Sequence, residues 1–77
     1  MIKILLFAHL QEAVGKGEIQ LEIGQTTVEQ LKAELQQKYR IAGLEHVMIA
    51  INEEYALDNS IINPGDTVAF IPPVSGG

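Results

Sequence analysis

The clearest chemical capacity in this chain lies in its last six residues, Pro72-Pro73-Val74-Ser75-Gly76-Gly77. The reactive group there is the α-carboxylate of Gly77, which is ionised at neutral pH and a poor electrophile until it is activated, for example as an acyl-adenylate. Gly76 and Gly77 carry no side chain to block entry into a narrow channel. Pro72 and Pro73 have no amide donor and hold φ at about −65°, so a sheet ladder stops at them and an extended polyproline II path follows. At roughly 3.3–3.6 Å per residue, such an arm reaches about 20 Å from the body that carries it. The expected chemistry is therefore acyl chemistry at Gly77, performed inside another protein's active site, with residues 72–77 as an extended, flexible tail.

No constellation elsewhere supports catalysis by side chains. Gly15-Lys16-Gly17 lacks the spacing of a phosphate-binding loop. His9 and His46 have no second histidine at a ligand spacing, and no metal site is expected. Ser60 and Ser75 have no neighbouring histidine to activate them. Glu53 and Glu54 are adjacent residues of a turn, read as solubilising rather than as an opposed acid/base pair.

Composition narrows the partners. A chain of 77 residues forms one domain, 1–77, and buries little more than about 60% of its unfolded surface, so its stability is modest. A hydrophobic content of 47% argues against intrinsic disorder. Ten acidic residues against five basic ones give a formal charge of −5. That balance disfavours nucleic acid and anionic membrane and suits a basic protein partner. Without cysteine there is no disulfide, thiolate metal site or cysteine nucleophile. No apolar run reaches the length of a membrane span, and residues 4–8 are too few for a signal-peptide core, so a cytoplasmic location is expected.

The elements that must position the tail follow from periodicity. Residues 2–8 read as a strand with Ile2, Ile4, Leu6 and Ala8 inward and Lys3, Leu5 and Phe7 on the other face. Residues 9–17 can form a helical turn through Leu10, Ala13 and Val14. Residues 18–23 alternate cleanly, with Ile19, Leu21 and Ile23 inward, as in a half-exposed edge strand. Thr26 and Glu29 fit a capping box that starts a helix running to about residue 39 or 40. Val28, Leu31, Leu35 and Tyr39 form its apolar stripe, Lys32 is among its solvated residues, and Glu34 and Lys38 are spaced to pair. Residues 47–51 and 55–57 read as strands joined by a turn at 52–54. Asn63-Pro64-Gly65-Asp66 matches a type II turn before a last strand, 67–71, with Val68 and Phe70 on one face and Ala69 and Ile71 on the other. One main helix covers only one face of such a sheet, giving an α+β fold with about five strands. The uncovered face keeps Leu5, Phe7, Tyr55, Ala69 and Ile71 as an apolar patch for a partner.

These residues resemble a known family. The ending Phe70-Ile71-Pro72-Pro73-Val74-Ser75-Gly76-Gly77 is similar to that of the small, sulfur-carrying subunits of molybdopterin synthase, the MoaD family of the ubiquitin-like β-grasp superfamily. The likeness spans the chain, including the opening from Ile2 to Ala8, Thr27-Val28-Glu29, Ile51-Asn52 and Pro64-Gly65-Asp66.

The resemblance implies a mechanism. An ATP-dependent enzyme adenylates the Gly77 carboxylate and a sulfur donor converts it to a thiocarboxylate. The tail then enters the large synthase subunit and gives its sulfur to cyclic pyranopterin monophosphate. The catalytic side chains belong to that large subunit, and the assembly is a heterotetramer of two small and two large chains. This chain binds no cofactor of its own. The docking residues implied are Phe7, Tyr55 and Ile71, with Leu5 beside them and Pro72, Pro73, Val74 and Ser75 along the tail. Ile71 departs from the family, which often has a second aromatic there. A sulfur carrier of the thiamine pathway, a ubiquitin-like protein modifier and an interaction module with an inert tail are the alternatives.

Overall fold

The computed structural model describes residues 1–41 and 44–73. Its elements in chain order are β1 (Ile2–Leu6), α1 (His9–Val14), β2 (Glu18–Leu21), β3 (Thr26–Thr27), α2 (Val28–Tyr39), a 3₁₀ turn (Leu44–His46), β4 (Met48–Ile51), β5 (Glu54–Ala56), β6 (Ile61–Ile62) and β7 (Thr67–Ile71). Five strands form one sheet in the order β2-β1-β7-β4-β5. Only the central β1–β7 pair is parallel within this sheet, so the sheet is mixed.

Period-two alternation places the core. Ile2, Ile4 and Leu6 of β1, Ile19 and Leu21 of β2, Ile49 of β4, and Val68 and Phe70 of β7 are buried on one face. Helix α2 closes that face with Val28, Leu31 and Leu35, and Tyr39 packs against the edge of the cluster. Each such side chain contributes about 1.5–3 kcal/mol by leaving water. Leu10 of the short α1, Ile62 of β6, and Ile41, Leu44 and Val47 from the segment between α2 and β4 belong to the same core.

Ala8 does not join it. The residue lies beyond β1, exposed, with φ 52° and ψ −130°. Together with the Leu10 N–H donating to the Phe7 carbonyl at 3.1 Å, this makes a tight reversal from β1 into α1. The alternation that buries Ile2, Ile4 and Leu6 ends where the chain turns.

The start of α2 is shifted by one residue from the expected capping box. Thr27, not Thr26, is the N-cap, and its hydroxyl oxygen accepts from the Gln30 N–H at 3.2 Å. The cause is β6, which pairs Thr26 with Ile62 and Thr27 with Ile61 and so holds both threonines extended. The amides of Val28 and Glu29 then donate to the carbonyls of Ser60 and Asp58. The orphan donors of the first turn are thus met by a distant segment as well as by the cap. Lys32 is drawn to that segment too. Its side chain is only 14% exposed and its Nζ lies 3.0 Å from Asp58, so it is not a solvated residue, and the expected Glu34–Lys38 pair does not form among the described residues.

The last two turns behave as their residues dictate. Gly65 takes φ 96° in the Asn63-Pro64-Gly65-Asp66 turn, which the Asp66 N–H closes by donating to the Asn63 carbonyl at 3.0 Å. Asn52 and Glu53, both at positive φ, join β4 to β5 as a two-residue hairpin turn, so β5 begins and ends one residue before the expected 55–57.

Candidate functional site

The face of the sheet away from α2 carries the predicted patch. Leu5 of β1 stands opposite Ala69 of β7, Ala69 opposite Ala50 of β4, and Ala50 opposite Tyr55 of β5. Ladder neighbours share a face, so these four residues form a row across the sheet. Ile71 of β7 stands beside Met48 of β4 in the next row. Phe7, just beyond β1, is 45% exposed, and Tyr55 is 72% exposed. Leu5 and Ile71 are half-buried.

The small side chains of Ala50 and Ala69 leave a hollow between the larger ones. It is a shallow cavity of about 340 Å³, walled by Leu5, Phe7, Tyr55 and Ile71, with Thr67 and Glu53 at its rim. All four residues named from sequence as the body's docking side chains therefore meet in one groove. Sequence reasoning missed three residues of its lining, Ala50, Glu53 and Thr67. Met48, 46% exposed and beside Ile71 but outside the groove, was also missed, hidden inside an apolar run that gives no sign of which face is covered. Ala50 forms the floor, and only the ladder register reveals that. Glu53, read as solubilising, lines the groove.

The groove leads to the tail. Phe70 is fully buried in the core and Ile71 opens on the outer face, so strand β7 delivers its last side chain to the groove. Pro72 and Pro73 follow directly, outside the strand, half-buried and exposed in turn. The remaining predicted site residues, Val74, Ser75, Gly76 and Gly77, lie outside the described residues.

Other clefts carry less. A wider hollow of about 670 Å³ beside α1 is walled by Ala8, His9, Gln11, Glu12 and Gly15, and it is open and polar. His9 and His46 are both exposed. Among the described residues no group of three acidic, histidine or cysteine side chains is placed to hold a metal ion, and no helix is long and apolar enough to cross a membrane. One carboxyl group is displaced in its titration. Asp66 is held below the usual aspartate value by the Asn63 backbone N–H first and the Asn52 side-chain amide second, with slight burial opposing them.

A mixed five-stranded sheet with one main helix on one face and an apolar groove on the other defines a ubiquitin-like β-grasp protein. SAMP1 from Haloferax volcanii has this fold and matches with a TM-score of 0.80 at 29% identity, over 99% of this chain and 98% of that one. The sequence model of the ThiS family matches residues 4–77, and the chain belongs to that family. It is 42% identical over 82 residues to the molybdopterin synthase sulfur carrier subunit of Arabidopsis thaliana, covering 99% of this chain and 82% of the relative. It is 38% identical to the subunit of the same name from Haemophilus influenzae, with both chains covered in full.

Proposed function

We propose that this chain is the sulfur carrier subunit of a molybdopterin synthase. The observation that carries the reading is the path of β7, which sets Ile71 into the apolar groove and passes straight into Pro72-Pro73. A partner seated on the groove thereby receives the arm. The names and full-length match of the relatives support the same reading.

The chemistry proceeds at Gly77. A carboxylate oxygen attacks the α-phosphorus of ATP in an adenylating enzyme, and pyrophosphate leaves. A donor that delivers sulfide (HS⁻) then supplies the sulfur that attacks the acyl carbon, AMP leaves with that oxygen and the proton passes to solvent, which yields the thiocarboxylate. The thiocarboxylate is a sulfur nucleophile at the end of a slim arm, so no side chain of this domain has to react. The body supplies recognition, and the arm places the sulfur against cyclic pyranopterin monophosphate in the large subunit. Holding reactants in register is worth several kcal/mol of the barrier, about 7–11 at best. Two rounds of transfer give the dithiolene. The assembly is a heterotetramer of two small and two large subunits, acting in the cytoplasm, with the catalytic side chains on the large subunit and ATP used only by the adenylating enzyme.

Deletion of Gly77 tests this. The truncated chain should keep the parent's thermal melting and lose all sulfur transfer in a reconstituted synthase. A truncated chain that still yields molybdopterin removes the tail from the mechanism. A second reading, a protein modifier, is favoured by one observation, the likeness to SAMP1, which is a small archaeal modifier protein. Mass spectrometry of the chain recovered from cells separates the two. Exchange of one terminal oxygen for sulfur marks the carrier, and isopeptide adducts on lysines mark the modifier.

A further inference from the structure

The turn between β4 and β5 sets two consecutive non-glycine residues at positive φ, Asn52 at 51° and Glu53 at 71°. A two-residue turn of type I′ demands this, and Asn-Gly is the pair that suits it best. Asn52 is compensated, because its side chain donates to Asp66 and accepts from the Thr67 N–H, each at 3.0 Å. Glu53 is not. Among the described residues its carboxylate makes no hydrogen bond and no ion pair, and Lys3 on the same face of the sheet does not reach it. A side chain at this position strains the backbone where glycine would not.

That side chain nevertheless lines the groove with Leu5, Phe7, Tyr55 and Ile71, and it is the one charged residue among those lining it. A partner that covers the groove removes water from the carboxylate. An isolated charge buried in this way is costly unless a cation meets it. We infer that Glu53 reads charge on the docking surface: it accepts a lysine or arginine that the partner carries beside the apolar side chain filling the groove. The net charge of −5 favours the same kind of partner, since opposite fields speed the encounter. This inference rests on the reading above that the groove docks on the large synthase subunit.

The test is a titration of the full chain against the large subunit of molybdopterin synthase by calorimetry, at several salt concentrations, with thermal melting of every variant. Glu53→Gln keeps the shape and removes the charge; it should weaken binding by about two- to fivefold and flatten the salt dependence. Glu53→Lys should weaken it by roughly tenfold or more. Glu53→Gly should melt at a higher temperature than the parent and still bind more weakly, a combination that a purely structural role does not give. If Glu53→Lys binds with the parent's affinity and salt dependence while Ile71→Asp binds about tenfold or more weakly, the inference is overturned and the groove remains the docking site. If the unaltered chain itself fails to bind, the functional reading falls, and this inference falls with it.

Discussion

The Asn52 amide donates to the Asp66 carboxylate at 3.0 Å, and this bond ties the β4–β5 turn to the turn that precedes β7. The other carboxylate oxygen of Asp66 accepts from the Asn63 N–H at 2.9 Å, while the Asn52 side-chain oxygen, Oδ1, accepts from the Thr67 N–H. Two turns thus share one polar clasp, and the strand that leads to the tail begins inside it.

Because these donors favour the ionised form, the Asp66 carboxyl titrates below its usual value in the folded chain. The folded state then binds the proton less readily than the unfolded state. The stabilisation is present above the unfolded aspartate value of about 4 and is lost as pH falls through the lower, folded value. Denaturant melts between neutral pH and about pH 2 should show this. Asp66→Asn should be less stable than the parent at neutral pH and should lose less on acidification, and parallel acid limbs would exclude the clasp as its source.

At the start of α2, Thr27→Ala should cost about 1 kcal/mol, the usual loss for an N-cap hydroxyl. Thr26→Ala should cost less, because the Thr26 hydroxyl accepts no first-turn amide. Urea melts of the two variants rank them directly, and the reverse order would return the cap to Thr26.

Ala8 occupies backbone space that suits glycine, at φ 52° and ψ −130°. Ala8→Gly should stabilise the fold by about 0.5–1 kcal/mol, since relief of strain exceeds the entropy that glycine adds to the unfolded chain. That gain corresponds to roughly 2–8 °C in thermal melting. A lower melting temperature would show that the reversal carries no strain.

Phe70 and Ile71 are neighbours in sequence and opposites in role. Phe70→Ala should cost about 3–5 kcal/mol, a large share of the stability of so small a domain, and circular dichroism should find it largely unfolded. Ile71→Asp should leave the spectrum intact and weaken binding to the large synthase subunit by about tenfold or more, as loss of a central apolar contact does. An unchanged affinity for Ile71→Asp would take that residue out of the docking face.

Much of this was legible in the chain itself. Clean alternation in β2 and the period of two in the apolar runs of β1 and β7 told inside from outside, the three- and four-residue spacing of Val28, Leu31 and Leu35 gave the helix its buried stripe, and Pro64-Gly65 named its turn. Leu5, Phe7, Tyr55, Ala69 and Ile71 were read as the apolar residues left over once a single helix had been assigned to one face, and the structure gathers them around one groove. What escaped were contacts between residues distant in sequence. Thr27 became the cap because β6 pairs with β3, and Lys32 turned inward because Asp58 lies 26 positions away in the chain and 3.0 Å away in space.

The amino-acid order alone determined which faces are apolar and where the main helix lies. Backbone periodicity and the chemistry of proline and glycine are local properties, so they can be read residue by residue. Tertiary structure decided the register of the cap, the inward turn of Lys32, the hollow over Ala50 and Ala69, and the presence of a carboxylate at its rim. Each of these depends on which strands become neighbours, and that is settled by burial of the whole core rather than by any one stretch of the chain.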